Sequence, residues 1–420
     1  MILRVILPFL LAIQSAIGLP TIDNSTYPDD LSPLASNDVH SGWTELPEGQ
    51  DDDLPRSSRS LAKRHSAKGR VIDQTNPDLS ALLRFASQPK GSDIENVIGF
   101  QYLDYAGADV TVYMHDTGLY VDHPEFKGKR EKGVKKPNVQ VILPKKTLKG
   151  EGFPQVQGDP DGHGTCASSL VIGRLYGIAK GASLKMVPFG DIRNDDYMLT
   201  GLQAIVDDIK RKKKQKGSKG FFPVVNLSYT IGTARRKNAN KDVFAKYRQL
   251  YLDMVNEGAL LIAPVSNVDE TFTTTSVNQY PARYAEEDDF KDSMIITGGV
   301  DMYGKKWKHS QDGPLIQGWA PAIAMDNTPK GDMSWKDDNW QGISCAGLGK
   351  PDLDIQDRGT SYTAPPYAGL AAYFYSSYSN LRGVGAARKV KNKILSANYA
   401  RADGGPDCLW NLRQGQLACG

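Results

Sequence analysis

The chain has 420 residues, of which 40% are hydrophobic and 24% charged, and its formal net charge is +3. This composition is typical of a globular protein of one large or two medium domains, and it excludes a chain that stays unfolded throughout. Beyond residues 2–18, no apolar run reaches the roughly 18–20 residues that a bilayer-spanning helix needs.

The N-terminal segment combines one early positive charge, Arg4, with a short apolar core and the ending Ala16-Ile17-Gly18. This pattern is typical of a cleaved secretory signal, although a buried first strand is an alternative. We predict a signal peptide over residues 1–18. The mature protein is then expected to be secreted, extracellular and free of the membrane.

Residues 19–64 are rich in Asp, Ser, Pro and Thr, and hold nine acidic against four basic side chains. Such a segment buries too little apolar area to fold alone, so we predict an acidic, disordered propeptide. It ends at Lys63-Arg64, which resembles the cleavage site of kexin-type processing proteases, although a dibasic pair also occurs by chance in linkers. We therefore expect a zymogen whose acidic leader binds the basic remainder before cleavage.

After a lead-in over residues 65–94, short apolar runs alternate with helical patterns until about residue 400. The predicted strands are Asp109–Met114, Leu184–Phe189, Phe222–Leu227, Ala259–Ala263 and Met294–Thr297. The predicted helices lie near 165–176, 195–213, 241–257 and 384–397, with one more after Ser361. This alternation predicts an α/β domain over residues 95–400 whose largely parallel sheet is covered on both faces.

Three short polar motifs stand at the ends of these elements. Asp116 directly follows the first strand, His163 enters a helix between two glycines, and Ser361 lies in a Gly-Thr-Ser before an apolar helix. Unpaired N–H groups at a helix N-terminus favour developing negative charge, which makes Ser361 a candidate nucleophile. A turn-forming Asp, a structural or metal-binding His and a helix-capping Ser are the alternatives.

In the order Asp116, His163, Ser361, these motifs resemble the catalytic blocks of the subtilisin-like serine proteases. Residues 122–126, Asp-His-Pro-Glu-Phe, are similar to the segment that follows the first block. The resemblance covers roughly residues 95–400 and implies a three-layer α/β subtilisin-like fold. It also implies a serine endopeptidase in which Ser361 is the nucleophile, His163 the general base and Asp116 the carboxylate that orients the imidazole.

The same resemblance implies an oxyanion-stabilising amide on Asn267, which closes a stretch where Pro264, Val265 and Ser266 replace the usual Ala-Ala-Gly. Asn226 is the alternative donor. An oxyanion needs such donors at the position where its charge develops.

The substrate-pairing strand of the family resembles residues 224–230, but its usual Leu-Gly ending has become Tyr229-Thr230. We expect substrate contacts from Ser228, Tyr229, Thr230 and Ser266. Because these residues depart from the family pattern, the substrate preference does not carry over.

Four cysteines in an exported chain allow three complete pairings. Cys408 and Cys419 close a short loop in the tail over residues 401–420, and we expect them to pair. Cys166 follows His163 by three residues on the predicted helix. We expect it to be buried and inert, or paired with Cys345.

We expect polypeptide substrates, a kexin-type processing protease as a partner and a monomer, with no cofactor. Calcium occurs in the family, but no acidic loop here has convincing ligand spacing, so no metal site is assigned and calcium stays open. The basic run Arg211–Lys216 is interpreted as a solvated helix end, which leaves no nucleic-acid partner. Two other functions remain open: a catalytically impaired, secreted binding protein, and a metal-dependent hydrolase using His115, His123 and His163.

Overall fold

The structure is a computed structural model. It describes residues 43–45, 69–75, 79–155, 158–216, 221–232, 241–269, 272–327, 340–347 and 354–414. The predicted signal peptide, the Lys63-Arg64 pair and Cys419 lie outside the described residues. The predicted leader contributes one short strand, Trp43–Glu45, to the part that the structure describes.

The strands are numbered in chain order. They are β1 (Trp43–Glu45), β2 (Val71–Thr75), β3 (Gly99–Leu103), β4 (Thr111–Asp116), β5 (Val139–Val141), β6 (Ser183–Pro188), β7 (Pro223–Asn226), β8 (Leu260–Pro264), β9 (Met294–Val300), β10 (Gly318–Pro321), β11 (Met325–Asp326), β12 (Trp340–Gln341), β13 (Ile343–Ala346), β14 (Asp354–Asp357), β15 (Tyr399–Ala400) and β16 (Asp407–Cys408).

The α-helices are numbered in the same way. They are α1 (Ala81–Ser87), α2 (Pro124–Lys127), α3 (His163–Ile172), α4 (Asp195–Lys216), α5 (Lys241–Asn256), α6 (Ala364–Ser377) and α7 (Ala386–Ala397). Short 3₁₀ turns cover Ile94–Asn96, Ala282–Glu286, Thr360–Tyr362 and Ser379–Leu381. Of the helices that the structure describes, none is both long and apolar enough to cross a membrane.

Within the described residues, the central sheet has nine strands in the order β15-β16-β10-β9-β8-β7-β4-β6-β5. All neighbours pair in parallel except β15 and β16, which are antiparallel. Parallel strands need a crossover between them, and the helices supply it. Consequently the carboxyl ends of β4, β7 and β8 meet at one edge of the sheet.

Two hydrophobic cores lie on opposite faces of this sheet. Along β4, Val112 and Met114 belong to the core that contains α3 and α6, whereas Tyr113 belongs to the core that contains α4 and α5. A strand that is buried on both faces is apolar at nearly every position, which is the pattern of the predicted strands. The three-layer α/β fold predicted from the sequence is therefore confirmed.

The five predicted strands agree with the observed ones to within three residues at each end. The helix predicted near 165–176 ends earlier, at Ile172, because Gly173 leaves the helical conformation as its C-cap. The lead-in over 65–94 was expected to be loop-like, but it contains β2 and α1. There β2 pairs antiparallel with β3 and with β1 from the leader, which makes a separate three-stranded sheet.

Candidate active site

Asp116 and His163 meet at the carboxyl edge of the sheet. Asp116 is the last residue of β4 and His163 the first of α3, and both side chains are buried. The His163 Nδ1 atom lies 2.7 Å from Asp116 Oδ1, which also accepts a 2.8 Å hydrogen bond from the Thr117 N–H. A Cβ on Gly164 would lie 2.3 Å from the Gly118 carbonyl oxygen, so only glycine lets α3 approach β4 this closely.

A second buried carboxylate fixes this approach. Asp159 Oδ2 accepts hydrogen bonds from the N–H and the hydroxyl of Thr165, each at 2.7 Å. Its Oδ1 accepts from the Thr117 hydroxyl at 2.8 Å, and that hydroxyl accepts from the Gly164 N–H at 2.9 Å. Asp159 therefore ties the first turn of α3 to the residue after Asp116, which fixes the distance between Asp116 and His163.

The charges around His163 favour its protonated form. Burial lowers the pKa of the imidazole, but Asp116, through its charge and hydrogen bond, and the carboxylates of Asp161 and Asp357 raise it to about 9. Burial also raises the pKa of Asp161, to about 6. Among the described residues, His163 Nε2 is buried without a hydrogen-bond partner, so in the neutral imidazole this nitrogen is available to accept a proton.

Ser361 lies in the 3₁₀ turn Thr360–Tyr362, directly before α6. The sequence predicted that Gly-Thr-Ser turns straight into the helix; the structure inserts this tighter turn first. Gly359 opens it with φ at 146°, a conformation that glycine adopts without strain. The Ser228 hydroxyl donates to the Ser361 carbonyl at 2.8 Å, which links the turn to the end of β7.

The turn also brings the residue after Ser361 against His163. The ring of Tyr362, the following residue, lies 5.2 Å from the imidazole between centroids. Ser361 itself is partly exposed, whereas Thr360 and Tyr362 on either side are buried. The structure thus joins Asp116 to His163 by a hydrogen bond and places the residue that follows Ser361 against the His163 ring.

Asn267 is held against the same turn. Its Oδ1 accepts from the Thr360 N–H and from the Thr360 hydroxyl, each at 2.9 Å. The carbonyl side of the amide is thus occupied, and its NH₂ group is the part left to donate. The rival Asn226 is fully buried in β7, and its NH₂ group donates to the Ser228 hydroxyl at 2.8 Å.

The four residues predicted to contact substrate differ in their surroundings. The hydroxyls of Thr230 and Ser266 are 3.5 Å apart, both partly exposed, and connect the segments that follow β7 and β8. Ser228 is buried beneath Ser361. Tyr229 instead points into the core, with its hydroxyl 2.9 Å from His115 Nδ1 and 3.1 Å from the Tyr251 hydroxyl.

The other two histidines have separate surroundings. Burial lowers the pKa of His115 to about 3, so its ring is neutral beside Tyr229. His123 caps α2 by accepting the Glu125 N–H at 3.2 Å. In the part of the chain that the structure describes, these residues and His163 do not form a group that could hold a metal ion. The geometry thus gives no support to the metal-dependent alternative.

One of the two cysteine alternatives is realised. Cys166 on α3 forms a disulfide with Cys345 on β13, which pairs with β14. Among the described residues Cys408 has no disulfide partner; its thiol is buried, and burial raises its pKa to about 12. Its predicted partner Cys419 lies outside the described residues.

Sequence reasoning missed two features of the site. The role of Asp159 was not predicted, although an Asp four residues before a helix-initiating His was the signal available. The pair formed by Tyr362 and Asp357 was missed because its two members meet only through the turn of the chain at Gly359.

Comparison with known proteins bears on the family and the fold. A model of the Subtilase family matches residues 107–414. Subtilisin-like protease 3 of Pseudogymnoascus destructans is 26% identical over 298 residues, which cover 70% of this chain and 59% of that protein. Proteinase T of Parengyodontium album is 24% identical over 318 residues, covering 75% and 86%.

A further relative, subtilisin-like proteinase Mp1 of Magnaporthiopsis poae, is 27% identical over 69% of this chain and 57% of its own length. The chain thus spans somewhat over half the length of some curated relatives that it matches. A solved structure of a cold-adapted subtilisin-like serine proteinase superposes with a TM-score of 0.52 at 15% identity, covering 80% of this chain and 98% of that one. The fold and the family model agree, and the chain belongs to the subtilase family.

Proposed function

We propose that the protein is a secreted serine endopeptidase that hydrolyses peptide bonds through Asp116, His163 and Ser361. The observation that carries the proposal is the buried 2.7 Å hydrogen bond between His163 Nδ1 and Asp116 Oδ1, with the opposite ring nitrogen left unpartnered among the described residues. Family membership makes serine protease chemistry the expected chemistry of this site.

In this reaction the Ser361 hydroxyl attacks the peptide carbonyl while His163 Nε2 takes its proton. Asp116 keeps the imidazole in the tautomer with its proton on Nδ1 and stabilises the imidazolium that forms. His163 then gives the proton to the leaving amine, which departs as the acyl-enzyme on Ser361 forms. A water molecule then attacks the acyl carbon while His163 Nε2 takes its proton. His163 returns this proton to the Ser361 oxygen as the carboxylic acid is released.

The tetrahedral intermediate carries a negative oxygen that needs hydrogen-bond donors. We assign this role to the backbone N–H of Ser361 and the side-chain NH₂ of Asn267. The two bonds from Thr360 to Asn267 Oδ1 support the assignment, since they fix the amide with its NH₂ side free.

On the substrate side, we propose that Ser228, Thr230 and Ser266 shape the edge that receives the peptide. The 3.5 Å contact between the Thr230 and Ser266 hydroxyls narrows the space between the segments after β7 and β8. For Tyr229, whose side chain is buried, we propose a contact only through its backbone.

Reaction with a fluorophosphonate tests the proposed function. An activated Ser361 forms a covalent adduct rapidly, and the adduct peptide identifies the residue by mass spectrometry. A catalytically impaired binding protein on the same scaffold is the second candidate, favoured by the altered residues Tyr229 and Thr230. Labelling no faster than that of the heat-denatured protein supports this second candidate and contradicts the first.

We further propose that residues 1–18 direct secretion and that residues 19–64 form a leader cut after Arg64 by a kexin-type protease. Replacing Lys63-Arg64 with Ala-Ala is expected to leave a secreted form that is larger by the acidic leader. The unmodified protein should begin at His65-Ser66-Ala67. N-terminal sequencing that finds a start after Arg56 or Arg70 contradicts the dibasic site.

A further inference from the structure

The aromatic ring that follows Ser361 packs against His163. The centroids of the Tyr362 and His163 rings are 5.2 Å apart, with 37° between their planes, and Tyr362 is 1% exposed. The hydrogen bond from His163 Nδ1 to Asp116 restrains one nitrogen but leaves the ring able to rotate about it. A packed aromatic face restricts this rotation.

Tyr362 is itself held in place by a carboxylate. Its hydroxyl donates to Asp357 Oδ2, and Asp357 Oδ1 accepts from the Arg358 N–H at 2.7 Å. Burial raises the pKa of the Tyr362 phenol well above its usual value, with Asp357 adding to the effect, so the phenol stays protonated and keeps donating. The ring of Tyr362 is thus fixed at its far end.

The contact between Tyr362 and His163 joins two parts of the chain that are also linked to each other by strand pairing and a disulfide. Asp357 ends β14, which pairs with β13, and Cys345 of β13 is bonded to Cys166 of α3. His163 begins that same helix. The imidazole is therefore placed from one side by Asp116 on β4 and from the other by Tyr362, both anchored to elements that α3 contacts.

We propose that Tyr362 is a positioning residue for His163, and that its hydrogen bond to Asp357 fixes the ring in the position that aligns His163 Nε2 with Ser361. This inference rests on the proposed function, since alignment matters only if His163 accepts the Ser361 proton. A misplaced general base costs rate because the reacting atoms leave their productive geometry.

The charged groups that face His163 come from three elements: Asp116 from β4, Asp161 from the turn before α3 and Asp357 from β14. Replacing Tyr362 leaves all three carboxylates in place, whereas Asp357→Asn removes one of them. Replacing Tyr362 therefore tests the ring contact with these three charges unchanged. Asp357→Asn is expected to lower the pKa of His163 relative to the unmodified protein.

The test compares Tyr362→Ala with Tyr362→Phe. The Ala variant loses the ring, and we expect kcat and the fluorophosphonate labelling rate to fall on the order of 10²-fold with little change in KM. The Phe variant keeps the ring without its hydroxyl and is expected to recover all but about tenfold of this loss. Tyr367→Phe is the matched control, since it removes another buried phenol hydroxyl, one that donates to the Trp319 carbonyl away from His163.

An NMR titration of His163 in the Ser361→Ala background supplies a readout that does not depend on activity. The ring current of Tyr362 shifts the imidazole proton resonances, so Tyr362→Ala should move them while Tyr367→Phe should not. A folded Tyr362→Ala variant with unchanged kcat and labelling rate overturns the positioning role alone. An unmodified protein that is not labelled overturns the proposed function instead, and the NMR shift still reports whether the ring contact exists.

Discussion

The two sides of the candidate site differ in how their residues are held. On the side of Asp116 and His163, polar groups are tied to the ends of β4 and α3 by short buried hydrogen bonds. On the substrate side, Thr230 and Ser266 are partly exposed, and Tyr229 turns away into the core. In the proposed function, the chemistry therefore depends on strand and helix ends, whereas selectivity depends on loop residues.

The largest difference between the two sides is expected when a proposed catalytic side chain is removed. Ser361→Ala and His163→Ala are each expected to lower kcat on the order of 10⁶-fold, because members of a triad act as a unit. In Ser361→Ala, secretion and folding should change little, since Ser361 is partly exposed. Circular dichroism and peptide hydrolysis measure both effects. If either purified, folded variant keeps near-native activity, the assignment of the triad is wrong.

A smaller loss is expected when the proposed oxyanion donor is removed. Asn267→Ala should lower kcat on the order of 10²–10³-fold with a small change in KM, because the bond forms mainly in the transition state. Asn226→Ala is the control: it removes a buried amide that supports Ser228, so KM or stability should change instead. A pure kcat loss in Asn226→Ala, with Asn267→Ala silent, contradicts the assignment.

The electrostatics of His163 predict activity that rises with pH. Only the neutral imidazole accepts a proton, and the pKa of His163 is raised to about 9. The rate constant kcat/KM should therefore increase about tenfold per pH unit below that value and level off above it. The effect on stability has the opposite sign: the imidazolium stabilises the fold fully below the ordinary pKa of about 6.5, and this contribution is lost as pH rises through about 9.

Steady-state kinetics and thermal unfolding between pH 6 and 10 check both trends. Asp161→Asn provides the comparison, since it removes one carboxylate that faces His163 without touching Asp116. The midpoint of the activity profile should shift to lower pH in this variant. A profile that is flat from pH 6 upward contradicts the raised pKa.

The sequence predicted the parts of the molecule that depend on local pattern. Apolar runs of strand length identified β4, β6, β7, β8 and β9, because strands buried on both faces are apolar at most positions. The motifs at Asp116, His163 and Ser361 were visible because each stands where an element begins or ends. The sequence pattern alone was enough to select these residues, whereas their roles were inferred from the resemblance to a family.

What the sequence did not reveal depends on tertiary contacts. The orientation of Tyr229 follows from its hydrogen-bonded neighbours His115 and Tyr251, which are distant along the chain. The contact between Tyr362 and His163 requires α3 and α6 to be packed first. The 3₁₀ turn at Ser361 was not predicted. Pro365 and Pro366 suit the first turn of a helix, but they do not show whether the residues before them are helical or form a tighter turn.

The smallest expected effect lies on the substrate side and concerns the contact between Thr230 and Ser266. Thr230→Gly removes the side chain that narrows this space, so kcat/KM for substrates with a bulky side chain before the cleaved bond should rise about tenfold relative to those with Ala. Thr230→Val keeps the volume without the hydroxyl and should leave the preference unchanged. Competing peptides in one reaction measure the ratio directly. If both variants shift the ratio equally, the hydroxyl rather than the volume sets the preference, and the narrowing of this space is not what selects the substrate.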